Sequence, residues 1–266
     1  MQAESHYAIE VRDVTVRYRS YAQQPTSLKE AVVKFMQTGR LRYYSDLNAL
    51  SQLSFEVEKG CFLGVIGSNG AGKSTLLRVL SGVLPPSQGS VARQGSVDSL
   101  IQLGAGFDPE LTARENIFLY ESLRGKSRRE ISESVDKILD FAELKDFAST
   151  PIKYFSSGMA ARLGFSCAID IDPDILLVDE ILAVGDERFA AKCKKAFAGF
   201  LKIGKTVVLV SHNVDQLAAD CDRILVLSRG ALAFLGDPKE AVRVYRDAHY
   251  GTRLGSVGAD GRVVSA

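Results

Sequence analysis

Eight residues constrain this chain more than any other feature. Gly67-Ser68-Asn69-Gly70-Ala71-Gly72-Lys73-Ser74 sits directly after the apolar run Phe62–Ile66 and before a helical pattern. The order G-x-x-x-x-G-K-[ST] needs a strand to deliver it and a helix to receive it, so it demands an α/β fold. Its glycines let the backbone curl into a nest whose N–H groups point at phosphate oxygens, and the helix adds the positive end of its dipole. Lys73 would reach the β- and γ-phosphates, and the Ser74 hydroxyl would ligate Mg²⁺. With ordinary residue frequencies, the pattern arises by chance in about 1% of chains of this length. The strand before it and the helix after it lower that figure further. Gly67 to Thr75 is therefore read as a nucleotide-binding loop.

Periodicity elsewhere alternates strand and helix. Residues 8–19 alternate apolar and polar side chains, as a long strand or strand pair does. Leu53–Val57 and Phe62–Ile66 read as strands around the turn residues Glu58-Lys59-Gly60, and a helix is expected over Thr75–Leu80. Ser127–Phe141 and Glu187–Leu201 carry apolar residues at helical spacing. Ile175–Val178, Thr206–Val210 and Arg223–Leu227 are short apolar runs, the profile of buried parallel strands. A mainly parallel sheet with crossover helices follows.

Composition sets the outer limits. With 33 basic and 32 acidic residues the net charge is +1, which argues against binding nucleic acid by blanket phosphate neutralisation. No run of about 18 apolar residues is present, and the first residues lack the pattern of a secretory signal. Cys61, Cys167, Cys193 and Cys221 are widely spaced, as expected of reduced, packed thiols. The neutral total hides an uneven distribution. Residues 12–44 hold seven Lys/Arg and two acids, and Leu28, Val32, Phe35 and Met36 within that stretch form an apolar stripe.

A phosphate loop that hydrolyses nucleotide needs a second acidic site on a buried strand. Leu176-Leu177-Val178-Asp179-Glu180 supplies it: Asp179 can hold Mg²⁺ and Glu180 can take a proton from the attacking water. A GTPase would carry an N-K-x-D base-reading motif, and none of Asn48, Asn69, Asn116 or Asn213 begins one. Two further features stand out. Tyr154-Phe155-Ser156-Ser157-Gly158-Met159 opens a helix, and Val208-Leu209-Val210-Ser211-His212-Asn213 ends a strand in a histidine.

In that order the motifs resemble those of the ATP-binding cassette (ABC) ATPases, over about residues 9–250. The resemblance implies a parallel core sheet, an antiparallel β subdomain and a helical signature subdomain. It implies that His212 contacts the γ-phosphate and helps orient the water, and that Tyr18 stacks on adenine. Gln102 is taken as the Mg²⁺ and water contact, and Asp186 as the acid of the D-loop. In such a family two copies sandwich two ATP molecules, each γ-phosphate being capped by Ser156, Ser157 and Gly158 of the other copy. The organisation implied is a nucleotide-binding domain over 8–250, a basic amphipathic insertion over 20–47, and a helical subdomain over about 110–165. Residues 251–266 follow as a Gly/Ser-rich tail or the start of a linker.

Departures from the commonest pattern narrow the resemblance. The signature reads F-S-S-G-M where L-S-G-G-Q is usual, and Ile-Leu-Ala-Val-Gly-Asp follows Glu180 where P-T-S-A-L-D is usual. With residues 103–116, LGAGFDPELTAREN, these variants are similar to the ATPase subunits of bacterial exporters of O-antigen, capsule or teichoic acid. That branch implies a homodimer, two copies of a separate transmembrane permease, and a lipid-linked polysaccharide as cargo. It implies a peripheral position on the cytoplasmic face of the inner membrane. The insertion either meets the anionic membrane surface or packs as a charged lid on the core. The head of another kind of ABC transporter, or a soluble ABC ATPase, are the alternatives.

Overall fold

The computed structural model describes residues 6–20, 36, 45–100, 106–179 and 187–250. Gln102, Glu180, Asp186 and the tail over 251–266 lie outside the described residues. So does the insertion helix expected around residue 28, except for Met36, which is helical and exposed.

Two long strands, β1 (Tyr7–Ser20) and β2 (Ser45–Glu58), pair antiparallel from Tyr7↔Glu58 to Ser20↔Ser45. Strand structure therefore extends into both ends of the 20–47 stretch, and β2 starts eight residues before the expected Leu53. β4 (Gln88–Arg93) adds to the free edge of β1, giving a three-stranded sheet in the order β2-β1-β4. The second sheet has six strands in the order β5-β6-β7-β3-β8-β9. These are β3 (Phe62–Gly67), β5 (Val97–Leu100), β6 (Ile175–Val178), β7 (Thr206–Val210), β8 (Arg223–Ser228) and β9 (Ala231–Gly236). All neighbours are parallel except the edge pair β8–β9.

The central strands are buried on both faces, which is why they read as unbroken apolar runs. Their side chains still alternate between two cores. Leu63, Val65, Leu177, Val208 and Val210 pack with β1, β2 and helix α1 (Lys73–Leu80). Phe62, Ile66, Leu176, Val178, Val207 and Leu209 pack on the opposite side. There they meet α4 (Ser157–Asp170), α5 (Glu187–Lys202), α6 (Val214–Asp220) and α7 (Pro238–Tyr250).

A third core joins α2 (Ala113–Leu123), α3 (Arg128–Ala142) and α4, through Ile117, Tyr120, Ile131, Val135, Ile138 and Leu163. Both α2 and α3 begin with a capping box, Thr112 with Glu115 and Ser127 with Glu130. Asn116, fully buried, knits the preceding loop together: its amide donates to the carbonyls of Asp108, Leu111 and Thr112, and its oxygen accepts from the Asp108 N–H. Among the described residues no helix is long and apolar enough to cross a membrane.

Candidate functional site

Parallel pairing brings three strand ends to one edge. Val178 on β6 lies opposite Leu209 on β7, and Val210 on β7 lies opposite Val65 on β3. Asp179, His212 and the loop after β3 therefore emerge side by side at the carboxyl end of the sheet, where ligands of open α/β folds bind. They line one cavity of about 300 Å³, with Asn69 to Thr75 on one wall and Leu47, Asn48 and Ala49 on another.

The loop's shape depends on its glycines. Gly70 and Gly72 have φ of +77° and +106°, the left-handed region open to glycine at little cost. A Cβ on Gly72 would lie 2.6 Å from the Ala49 carbonyl oxygen and 2.8 Å from the Leu50 side chain. β2 thus presses directly on the loop, leaving no room for another residue type. The start of α1 carries no side-chain cap. A phosphate would meet first-turn N–H groups that no capping side chain covers, at the positive end of the helix dipole. Lys73 is 7% exposed and folds back over the loop, donating to the carbonyls of Gly67 (2.7 Å) and Ser68 (3.2 Å). The nest fits a nucleotide phosphate. Ser74 and Asp179 face the same cavity and offer the hard oxygen donors that suit Mg²⁺.

His212 is exposed, and the backbone on either side of it is pinned. Asn213 donates its N–H to Ser211 Oγ at 3.0 Å, and the Asn213 side chain accepts from Gln216 N at 3.1 Å, capping α6. The histidine is held at the cavity by this turn.

Tyr18 does not line the cavity itself. It lies opposite Leu47 in the β1–β2 register, and Leu47 does line it. Tyr18 and Leu47 are 37% and 62% exposed, so two partly open apolar groups stand paired beside the loop. Leu47, Asn48 and Ala49 are lining residues that the sequence motifs do not single out. The one available signal is their distance of a few residues from the strand at Leu53.

Ser156, Ser157 and Gly158 are not among the residues that line the cavity. They form the start of α4, where Ser156 is the N-cap and its Oγ accepts from Met159 N at 3.1 Å. Ser156 and Ser157 are exposed, and a Cβ on Gly158 would meet only the Ser156 hydroxyl, at 3.8 Å. This is a second exposed helix N-terminus, on another part of the chain. The four cysteines are free and buried.

Comparison with known proteins agrees with this geometry. A family model described as ABC transporter matches residues 50–183. An O-antigen export system ATP-binding protein of Klebsiella pneumoniae is 40% identical over 90% of this chain and 98% of its own length. A teichoic acids export ATP-binding protein of Lactiplantibacillus plantarum is 40% identical over 91% of this chain and 65% of its own length. Among solved structures, an ATP-binding cassette in a dimeric post-hydrolysis state with ADP and Pi superposes with a TM-score of 0.70 at 21% identity. That match covers 86% of this chain and 98% of the other.

Proposed function

The chain belongs to the ABC transporter family of ATPases, and from that premise we propose that it is the motor subunit of an exporter of lipid-linked cell-surface polysaccharide. The observation that carries this reading is the 40% identity to an O-antigen export ATP-binding protein across 98% of that protein's length.

The proposed chemistry divides among this chain's residues. Backbone N–H groups from Ser68 to Thr75 cradle the phosphates, and Lys73 exchanges its own loop carbonyls for β- and γ-phosphate oxygens. Ser74 and Asp179 would hold Mg²⁺, with Gln102 taken as a further contact to it. Bound there, the ion would neutralise charge on the β- and γ-oxygens. Glu180 accepts a proton from the attacking water and His212 contacts the γ-phosphate. Tyr18, beside Leu47, stacks on adenine.

The phosphate cavity does not include Ser156–Gly158, so one copy supplies only half of the site. A second copy brings its α4 N-terminus to the γ-phosphate, with Asp186 as the acid of the D-loop. The homodimer is held by two nucleotides between opposed helix N-termini, and departure of the γ-phosphate removes the anion that joins them. Residues 8–250 act as the nucleotide-binding domain and about 110–165 as its helical arm, with 20–47 inserted and 251–266 outside it. Two copies of a separate permease carry the polymer through the inner membrane, and this subunit works peripherally on the cytoplasmic face.

The test of the motor is Glu180→Gln. Turnover is expected to fall at least ~100-fold, while ATP still binds and a stable dimer accumulates on a sizing column. Normal hydrolysis by the variant removes Glu180 from its role. The cargo is tested by depletion in the cell: lipid-linked polymer should build up on the cytoplasmic side, and unchanged surface polymer refutes the export reading.

A further inference from the structure

Helix α3 ends at Ala142, and its C-cap Glu143 adopts the left-handed conformation, φ 60° and ψ 40°. Its carboxylate gathers three cations from two other helices. Lys192 Nζ donates to Oε1 at 2.6 Å, Arg188 Nε lies 3.8 Å from Oε1, and Arg162 Nη1 lies 3.6 Å from Oε2. Arg162 is on α4, one turn after Gly158. Arg188 and Lys192 are in the first turns of α5, which begins one residue after Asp186.

An aromatic layer accompanies this ionic one. Phe141 of α3, Phe165 of α4, and Phe189 and Phe197 of α5 form four ring pairs with centroids 5.7–6.1 Å apart. Lys192 lies 5.7 Å over the Phe141 ring and Arg162 lies 5.9 Å over Phe189. The three helices thus meet at one node. Arg162 is poorly served there apart from Glu143, because its Nε is buried without a hydrogen-bond partner. Removing the carboxylate would leave Arg162, Arg188 and Lys192 without the acid they share, and their mutual repulsion less offset. The lysine bond also holds the Glu143 carboxyl below the usual carboxylate range.

We propose that Glu143 is a positioning residue that locks the helix bearing Ser156–Gly158 to the helix that follows Asp179–Asp186. The capping segment and the hydrolytic segment then keep a fixed spacing as the dimer forms. The inference rests on the function proposed above and deepens it. A merely structural role would lower stability and nucleotide affinity together. A positioning role acts on turnover, because the phosphate loop lies on other elements.

The experiment measures kcat and KM for ATP, the affinity of the monomer for a fluorescent ATP analogue, and the melting temperature. In Glu143→Ala, kcat is expected to fall about tenfold, with monomer affinity within twofold of the wild type. Glu143→Gln, which keeps an acceptor for Lys192 without the charge, should recover part of the rate. In Glu143→Ala/Lys192→Ala the loss in kcat should be no larger than in the worse single variant. If Glu143→Ala does not fold, Lys192→Gln carries the test, with kcat down about threefold and affinity unchanged. Unchanged kcat in a folded variant, or an affinity loss equal to the loss in rate, overturns the role of Glu143 alone. A wild-type protein that hydrolyses no ATP overturns the proposed function and this inference with it.

Discussion

Around the phosphate loop the chain is held by backbone and apolar contacts. β3, β6 and β7 are buried along their whole lengths, and the loop is wedged against the Ala49 carbonyl. Around the helical arm, side-chain charge does much of the fixing. Lys126 bridges Glu121 at 2.9 Å and Asp170 at 2.5 Å, Arg124 reaches Asp98 on β5 at 3.0 Å, and Glu143 gathers its three cations. A parallel ladder cannot be parted without exposing many backbone groups, whereas each of these ion pairs rests on two side chains, and the loss of one leaves a largely buried partner such as Glu121 or Asp98 unpaired. The difference teaches that the nest owes its preorganised shape to backbone and apolar packing, whereas the placing of the helical arm also depends on a few charged side chains.

The largest expected effect comes from the tightest point of the loop. Gly72→Ala places a Cβ 2.6 Å from the Ala49 oxygen at φ +106°. It should cost about 3 kcal/mol in denaturant unfolding and weaken ATP binding at least tenfold. Gly125, between α2 and α3, has φ +87° and nothing within 4 Å of an added Cβ. Gly125→Ala should cost only about 1 kcal/mol and leave ATP affinity unchanged. Equal costs at the two glycines would break the contrast between the regions.

What the sequence showed follows the same division. Loop residues 67–74, Asp179 and His212 were legible because each follows a short apolar strand in a fixed local order. The signature serine was legible as a helix start for another reason: it is an N-cap residue ahead of the helical run to Ala168. Less visible were β4, largely exposed and without an apolar run, and the first half of β2, where Asp46, Leu47 and Asn48 are exposed and pair with β1. Helix α1 begins at Lys73, two residues before the expected Thr75, because its first turn lies within the phosphate loop itself. The links of the helical arm were invisible. Lys126 and Asp170 are 44 positions apart, and Lys192 and Glu143 are 49. No local spacing predicts a pair brought together only by the packing of α2 to α5.

A smaller effect is expected at Glu121, fully buried on α2, whose carboxylate accepts from Lys126 and from Ser134 Oγ at 2.8 Å. Burial pushes its pKa up, and the hydrogen bonds from Lys126 and Ser134 oppose that shift. Glu121→Ala should destabilise the helical arm by about 2 kcal/mol. Thiols can report where. Cys167 belongs to the core of the arm, whereas Cys61 and Cys193 belong to the sheet cores. Burial pushes the Cys61 and Cys193 thiols up to about 11 and about 12, and raises Cys167 as well, so labelling at pH 8 waits on opening. In single-cysteine versions of Glu121→Ala under mild denaturant, Cys167 should label first. Simultaneous labelling of all three would show that the two regions open as one unit.

The smallest effect concerns how α3 begins. Ser127 Oγ accepts from Glu130 N, and the Glu130 carboxylate accepts from the Ser127 hydroxyl at 2.6 Å and from its N–H at 2.8 Å. Those two bonds, the hydroxyl first, hold the Glu130 carboxyl below its ordinary range. A carboxylate depressed in the native state adds stability above the ordinary glutamate range, and that contribution is lost as pH falls through the lower native value. Loss of the N-cap alone should make Ser127→Ala cost about 1 kcal/mol near neutral pH. The gap between variant and wild type should narrow as the solution is acidified through the glutamate range. Measuring that gap cancels the opposite contribution of Glu121, which is common to both proteins. A gap that stays constant down to pH 3 would mean that the serine acts through its hydroxyl on the helix N–H alone, with the carboxylate of the box adding nothing to the arm.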